Sequence, residues 1–471
     1  MTGRWWALVA VSLATFMTYL DNNVVNVALP TIQRDLGLTM SGLEWIVSAY
    51  ILVFAGLLLV GGRLADLVGT RTMFFAGLAV FTLASVAAGL AGNQEALIAA
   101  RAVQGVGAAL LTPTSLALLA AVFPDPRERA TAVGVWSAVG ALALAVGPLT
   151  GGFLSENADW GWIFLLNGPV GVVTAVLGWR SIRVPRSATA GAGLDLPGLA
   201  ASTVALFALT YALIEGESRG WTSGLILGAF AVAALAAVAF LVVEARTAKP
   251  MIDLTLFRER IFSGGLLSMG LWAFGVFGIY FYTALYLQSA LGFTPIQAGA
   301  GFVPMALLMA IVATMSPRLA ERFGSALTVA TGLALMAVAI GGLSRVGESS
   351  AYLDLLPWFL IYGAGAGMLV PLTSLVLDTM PTERAGVASG VLNVSREVFG
   401  LLGVTILGAI LSARQSAATG TALHRFLDAY QFTLLIAAVI VIVGVPVSLF
   451  SLRARRAAAA VAAEPVPETV G

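Results

Sequence analysis

The sequence predicts an all-α integral membrane protein of fourteen transmembrane helices: two similar six-helix bundles with two further helices inserted between them. Three observations carry this. The 471 residues are 59% hydrophobic and only 10% charged, with a mean hydropathy of +0.95, whereas soluble domains are about 25% charged. Apolar runs of about 20 residues, enough to cross a bilayer as a helix, recur along the whole chain. Finally, the first and last thirds share short motifs at nearly constant offset.

The predicted spans are 7–28, 43–62, 72–92, 96–122, 130–154 and 162–181, then 197–215 and 223–243, then 263–288, 297–315, 325–343, 355–378, 386–412 and 431–452. Arg4 precedes a first apolar run too long for a signal-peptide core, so it reads as a retained span. Basic residues test the count. Eighteen of the 25, with Arg180 at the end of the sixth span, fall on the side that holds both termini, five on the other side, and Arg101 and Arg396 fall inside spans. The positive-inside rule then places both termini in the cytoplasm and the protein in the cytoplasmic membrane.

"GRLADLVG" at 62–69 and "PRLAERFG" at 317–324 share Arg-Leu-Ala, an acid and a Gly, 255 residues apart. "GVGAALLTP" at 105–113 and "GAGAGMLVP" at 363–371 keep Gly, Gly and Pro in register 258 apart, and Glu-Arg-Ala follows each at Glu128 and Glu383. The repeat pairs spans 1–6 with 9–14 and leaves 7 and 8 as the insert. The expected organisation is a bundle over 1–182, an insert over 183–260, a second bundle over 261–455 and a disordered tail over 456–471. Parallel six-helix repeats are an architecture of secondary transporters, with the cargo site at mid-membrane between halves.

Composition narrows the chemistry. The chain has no Cys, which removes disulfides, thiol catalysis and iron–sulfur ligation. His424 is the single histidine, so zinc and haem lack a ligand set and no metal or organic cofactor is expected. There is no P-loop with its Lys, and a net charge of +1 points to no nucleic-acid partner. A membrane enzyme or receptor would need clustered catalytic groups at one membrane face or an external ligand domain, and the sequence has neither.

The polar residues inside spans are the candidate site. Leu20-Asp21-Asn22-Asn23-Val24-Val25-Asn26-Val27-Ala28-Leu29-Pro30 puts an acid in the first span. Thr15, Thr18, Asn22 and Asn26 form a helical stripe with Asp21 at its margin. A charge at that depth costs about 2.5–3.5 kcal/mol or more and marks a functional site by default. Burial favours the neutral acid, and an approaching cation favours the ionised one. Arg101, a fixed charge, shares a face of the fourth span with Gln104, Ala108, Thr112 and Ser115. In the fifth span Ala143, Gly147 and Gly151 make a small-residue face beside Pro148, suited to close helix approach. In the thirteenth, Asn393, Arg396 and Glu397 supply a second intramembrane acid, able to bind a proton or a cationic cargo. Trp45, Tyr50 and Trp136 are candidate cavity aromatics.

Together these motifs resemble the major facilitator superfamily, in its fourteen-helix drug:proton antiporter family, over almost the whole chain. The first-span motif is similar to that family's L-D-x-T-V-V-N-V-A-L-P, with Asn23 for Thr. The 2–3 connection resembles G-x-L-x-D-R-x-G-R-K through Gly62, Leu64, Asp66, Gly69 and Arg71, but Leu67 and Thr70 stand where basic residues are usual. The fourth span resembles l-x-x-x-R-x-x-q-G-x-g-a-a from Leu97 to Ala109. The fifth resembles the antiporter signature G-x8-G-x3-G-P-x2-G-G through Gly134, Gly147, Pro148, Gly151 and Gly152, with Ala143 for Gly. Trp160 to Pro169 and "NVSREVFG" resemble the family's sixth- and thirteenth-span patterns.

The resemblance implies the major facilitator fold and proton-driven export of amphipathic drugs or natural products by alternating access. It implies protons as the coupling ion, handled by Asp21, Arg101 and Glu397. A cargo cavity is expected from Asn22, Asn26, Gln104, Tyr50, Trp136, Asn393 and Arg396. Gating is expected from Gly62, Asp66, Gly69, Arg71, Arg129, Gly147, Pro148, Gly151 and Glu321, with Asp66 capping a helix or pairing with Arg71 or Arg129. The partners are small amphipathic molecules and the lipid bilayer, and the working unit is a monomer. The alternative is a dedicated exporter of one endogenous metabolite, lipid or self-made antibiotic.

Overall fold

In lipid a backbone must satisfy its own polar groups, which leaves helices as the solution for a chain of separate apolar runs. The computed structural model describes residues 3–183, 195–247, 250, 252, 254–348, 350–378 and 385–452, and their regular elements are helical. The first six spans are α1 (Gly3–Leu36), α2 (Met40–Val68), α3 (Thr70–Gly89), α4 (Gln94–Val122), α5 (Pro126–Asn157) and α6 (Trp162–Ser181). The insert is α7 (Leu196–Arg219) and α8 (Gly224–Arg246). Then follow α9 (Arg260–Ser289), α10 (Pro295–Phe323), α11 (Ser325–Leu343), α12 (Tyr352–Gly367, resumed as Val370–Asp378), α13 (Ala385–Ala417) and α14 (Ala422–Ser451).

Among the described residues thirteen helices are long and apolar enough to cross a membrane. The 32-residue α5 occupies the fifth predicted span, so the order is consistent with fourteen. Helix ends overrun the predicted spans because apolarity stops at the membrane surface while backbone hydrogen bonding need not. Thus α1 continues through Pro30 to Leu36. α2 starts at the Thr39 cap and ends at Gly69, whose φ of 109° lets α3 begin at the next residue. The predicted tail 456–471 lies outside the described residues.

The packing repeats as the sequence repeats. α1 packs on α5 and α6, as α9 packs on α13 and α14; α4 lies against α2 and α3, as α12 lies against α10 and α11. Between the halves α2 meets α13, and α10 meets α5. Glycines make these contacts possible, and they too are paired. A Cβ at Gly147 would fall 2.7 Å from the Asn23 Cβ on α1, and one at Gly403 would fall 3.0 Å from the Phe274 Cα on α9. One at Gly152 would fall 2.6 Å from the Ile296 Cα, and one at Gly408 would fall 2.5 Å from the Glu44 Cδ, both across the halves. Each pair is separated by 256 residues, within the offsets of the sequence motifs. α7 rests on α2 and α13, while α8 packs mainly on α7. Large apolar side chains such as Leu83, Leu235 and Leu353 are exposed on the periphery, where lipid would cover them.

One face of the bundle carries the start of α1 and the end of α14. There Arg4 pairs with Glu128 at 2.6 Å, and Arg260 donates to the Phe450 carbonyl at 3.0 Å. The opposite, distal face carries a seam between the halves. Gln288 Nε2 donates to the Val27 carbonyl at 2.8 Å, and the Ile296 N–H donates to Glu156 Oε2 at 3.1 Å.

Candidate functional site

Between the halves, at mid-depth and below the distal seam, lies a cavity of about 210 Å³. The first half contributes a polar wall: Thr18, Asn22 and Asn26 of the predicted stripe, with Tyr19 and Asn23. Thr15 leaves the stripe because its hydroxyl accepts from Trp136 Nε1 at 2.7 Å. The second half contributes an apolar wall with Trp272, Phe277 and Tyr280 on α9 and Met305 and Met309 on α10. Tyr50 and Phe54 close the α2 side, and Arg396 and Glu397 stand on α13.

Asp21 is buried beside this cavity, at 1% exposure, and Arg101 is equally buried. Arg101 Nη1 donates directly to Asp21 Oδ2. Gln104, one helical turn further along α4, accepts from Arg101 Nη1 at 2.7 Å and donates to Asp21 Oδ1 at 2.8 Å. Asn167 on α6 donates to the same Asp21 oxygen at 3.4 Å and to Ser85 Oγ at 2.9 Å. Arg101 Nε is spent on the Ile46 carbonyl at 3.2 Å, and its guanidinium lies 4.4 Å from the Tyr50 ring centre. The Gly105 position explains the stacking. A Cβ there would sit 2.6 Å from the Tyr50 carbonyl oxygen, so only a glycine lets α2 press Tyr50 over Arg101.

This ion pair is complete within one half. Breaking such a pair by removing one partner costs about 3–5 kcal/mol, because a bare charge stays behind. A carboxylate has a way out that a guanidinium lacks: it can take a proton. Asp21 can therefore leave Arg101 as a neutral acid, and Asn22, Asn23 and Asn26 offer a polar path from its margin into the cavity. The second acid is arranged differently. Arg396 donates through Nε and Nη2 to Glu397 Oε1 at 3.0 and 2.8 Å, and Glu397 Oε2 is buried without a hydrogen-bond partner.

The remaining predicted residues are distributed as follows. Gln104 belongs to the ion-pair network and does not reach the cavity. Trp136 is tied to Thr15 away from the main cavity, and Trp45 packs on the insert, its Nε1 donating to Glu215 at 3.1 Å. Asn393, one turn before Glu397, is not among the cavity-lining residues. Arg71 donates to the Trp179 carbonyl at 3.1 Å and lies over the Trp179 ring. Arg129 caps the end of α4 through the Phe123 and Pro124 carbonyls at 3.0 and 3.1 Å. Both therefore act within the first half; the Asp66 side chain lies outside the described residues, as does Glu383. Gly62 faces Pro113 of α4, Gly69 separates α2 from α3, and Glu321 is exposed near the end of α10. Gly147 and Gly151 seat α5 on α1, where a Cβ at Gly151 would lie 2.6 Å from the Val24 carbonyl oxygen. Pro148 is buried next to the α10 segment that carries Gly299.

Sequence reasoning missed Asn167 as a partner of Asp21, Ser85 as the second partner of Asn167, and the aromatic wall of α9. Asn167 was visible as an amide inside the sixth-span motif. Aromatic residues in spans carry no such mark, since most of them only pack.

The family model described as Major Facilitator Superfamily matches residues 11–404. The puromycin resistance protein pur8 of Streptomyces alboniger is 38% identical over 426 residues, 88% of this chain and 83% of that protein. The multidrug resistance protein Stp of Mycobacterium tuberculosis is 36% identical over 418 residues, 89% of this chain and 78% of that protein. Among solved structures, a bacterial homolog of the human lysosomal transporter Spinster superposes with a TM-score of 0.68 at 17% identity, covering 96% of this chain and 97% of its own.

Proposed function

The chain belongs to the major facilitator superfamily and is a multi-pass membrane transporter, and we propose that it expels amphipathic drug-like molecules from the cytoplasm in exchange for protons. The observation that carries this reading is the buried Asp21–Arg101 pair directly behind the cavity-lining Asn22 and Tyr50. Protonation of Asp21 releases it from Arg101; return of Arg101 expels the proton. Coupling requires that cargo in the cavity and a proton on Asp21 exclude one another across the cycle. The asparagines of α1, which border both, are the means for that.

Protons are the only coupling species needed, with no cofactor. The excess of basic residues on the terminal face supports cytoplasmic termini in the cytoplasmic membrane. The distal seam then faces outside, and the cavity is shut off from that side. The aromatic and Met wall suits flat apolar cargo, and the polar wall suits its hydrogen-bonding groups. The names of the relatives favour drug or antibiotic export, one by a single compound and one by many. A dedicated exporter of one compound is the second reading.

Everted membrane vesicles challenged with a panel of dyes and antibiotics test this. Uptake should follow an imposed proton gradient and stop when it is collapsed. Accumulation that persists without the gradient would overturn the antiport. Response to one compound in the panel would select the dedicated exporter.

A further inference from the structure

The distal seam holds a carboxyl that the transport reading does not use. Glu44 lies in the first turns of α2 and is 2% exposed. It is clasped by the opposite half: Tyr282 of α9 places its hydroxyl 3.4 Å from Glu44 Oε1, and Gly408 of α13 leaves the room the carboxyl fills. Among the described residues no Lys or Arg pairs with it. The titratable groups that face it are Tyr282 and, from α7, Glu215, itself held by Arg219 at 3.0 Å and by Trp45 Nε1. Among the described residues no other charged side chain acts on it.

The hydrogen bonds decide which form fits. A phenol has one proton to give, and Tyr282 gives its own to the Val404 carbonyl at 2.7 Å. Glu44 therefore receives no strong donor from Tyr282, and an ionised carboxylate here would be buried without a cation or a full hydrogen-bond set, an expensive state. A neutral Glu44 reverses the contact, donating its own O–H to the free lone pair of Tyr282. The mirror position of the seam shows the contrast. There Glu156 is exposed and accepts from the Ile296 N–H at the start of α10, a setting that suits a charge.

We propose that Glu44 is a second proton site, separate from Asp21, that locks the external seam: the seam closes on the neutral acid and reopens when the carboxylate is hydrated. On closing, a carboxylate oxygen takes one proton from external water; on opening, the same O–H returns it. An acidic exterior thereby drives the empty carrier back toward the cytoplasm. Only the side from which the proton comes rests on the antiport reading.

The chain has no native Cys, so one reporter thiol suffices. Ala298 is fully buried in the α10 segment that meets α5 at the seam. In an Ala298→Cys background, reaction with a membrane-impermeant maleimide added outside reads seam opening. With one proton bound per closure the open fraction changes up to about tenfold per pH unit, rising with external pH. Glu44→Gln, which keeps the size and stays neutral, should label slowly and lose that dependence. Glu44→Asp should restore it, which a purely structural role would not require. The reagent's own pH response is common to all variants. Retention of the parent's dependence in Glu44→Gln, or a pH-independent parent, would overturn the proposal. Loss of the dependence in Asp21→Asn but not in Glu44→Gln would also overturn it and leave the antiport reading standing.

Discussion

Replacing Arg101 with Gln removes the guanidinium from Asp21 without reshaping α4. At an effective dielectric near 20, two unit charges about 4 Å apart attract by about 4 kcal/mol. The variant removes that attraction, and with it the fixed charge whose return is proposed to expel the coupled proton. The variant also forfeits the Arg101–Ile46 hydrogen bond and the stacking under Tyr50. It leaves no bare charge, because Asp21 can stay protonated. Folding should therefore survive while coupling fails. In everted vesicles, gradient-driven accumulation of a transported dye should fall more than about tenfold, the loss of at least about 1.4 kcal/mol of the pair's attraction, while exchange of labelled for unlabelled dye at equal, alkaline pH, where protons compete least with cargo, falls less. Full gradient-driven accumulation by Arg101→Gln would refute the reasoning, as would loss of both activities in a well-folded variant.

Asn167→Ala removes donors to both Asp21 and Ser85; it should destabilise the protein by about 1–3 kcal/mol, read as a lower thermal midpoint in detergent, and slow gradient-driven uptake more than exchange. Gly151→Leu would drive a side chain against the Val24 backbone and should cost about 1–3 kcal/mol through overpacking of α5 on α1; an unchanged thermal midpoint would contradict the seating described above. Trp272→Ala deletes part of the apolar wall, so resistance to bulky aromatic compounds should drop while that to small polar ones is kept, measured as growth inhibition across a panel.

Particular residues show what the sequence could and could not disclose. Asp21 and Arg101 were recognisable separately, since each is an ionisable group inside an apolar run. Their contact was not, because it depends on how α1 and α4 meet across 80 residues of chain. Gln104 shares a face of α4 with Arg101, which suggests a cavity residue, but its amide is bonded to Arg101 and Asp21 and does not line the cavity. Trp45 illustrates the effect of the insert. Helical period cannot tell which face of α2 a later helix will cover, and α7 covers the one that carries Trp45. Arg71 and Arg129, the expected partners of Asp66, donate to carbonyls at the ends of α6 and α4, and the Asp66 side chain lies outside the described residues. Glu44 escaped notice because an acid next to a Trp at the start of a span looks like an ordinary interfacial residue; its burial comes from the opposite half.

The central claim is that Asp21 carries the coupled proton. Purified protein in liposomes with an internal pH-sensitive dye measures it, with cargo added to one side and no imposed gradient. The parent should move protons when cargo is added. Asp21→Asn should move none and, as a fixed stand-in for the neutral acid, should bind that cargo more weakly than the parent. Cargo-dependent proton flux in Asp21→Asn at the parent's rate would contradict the account.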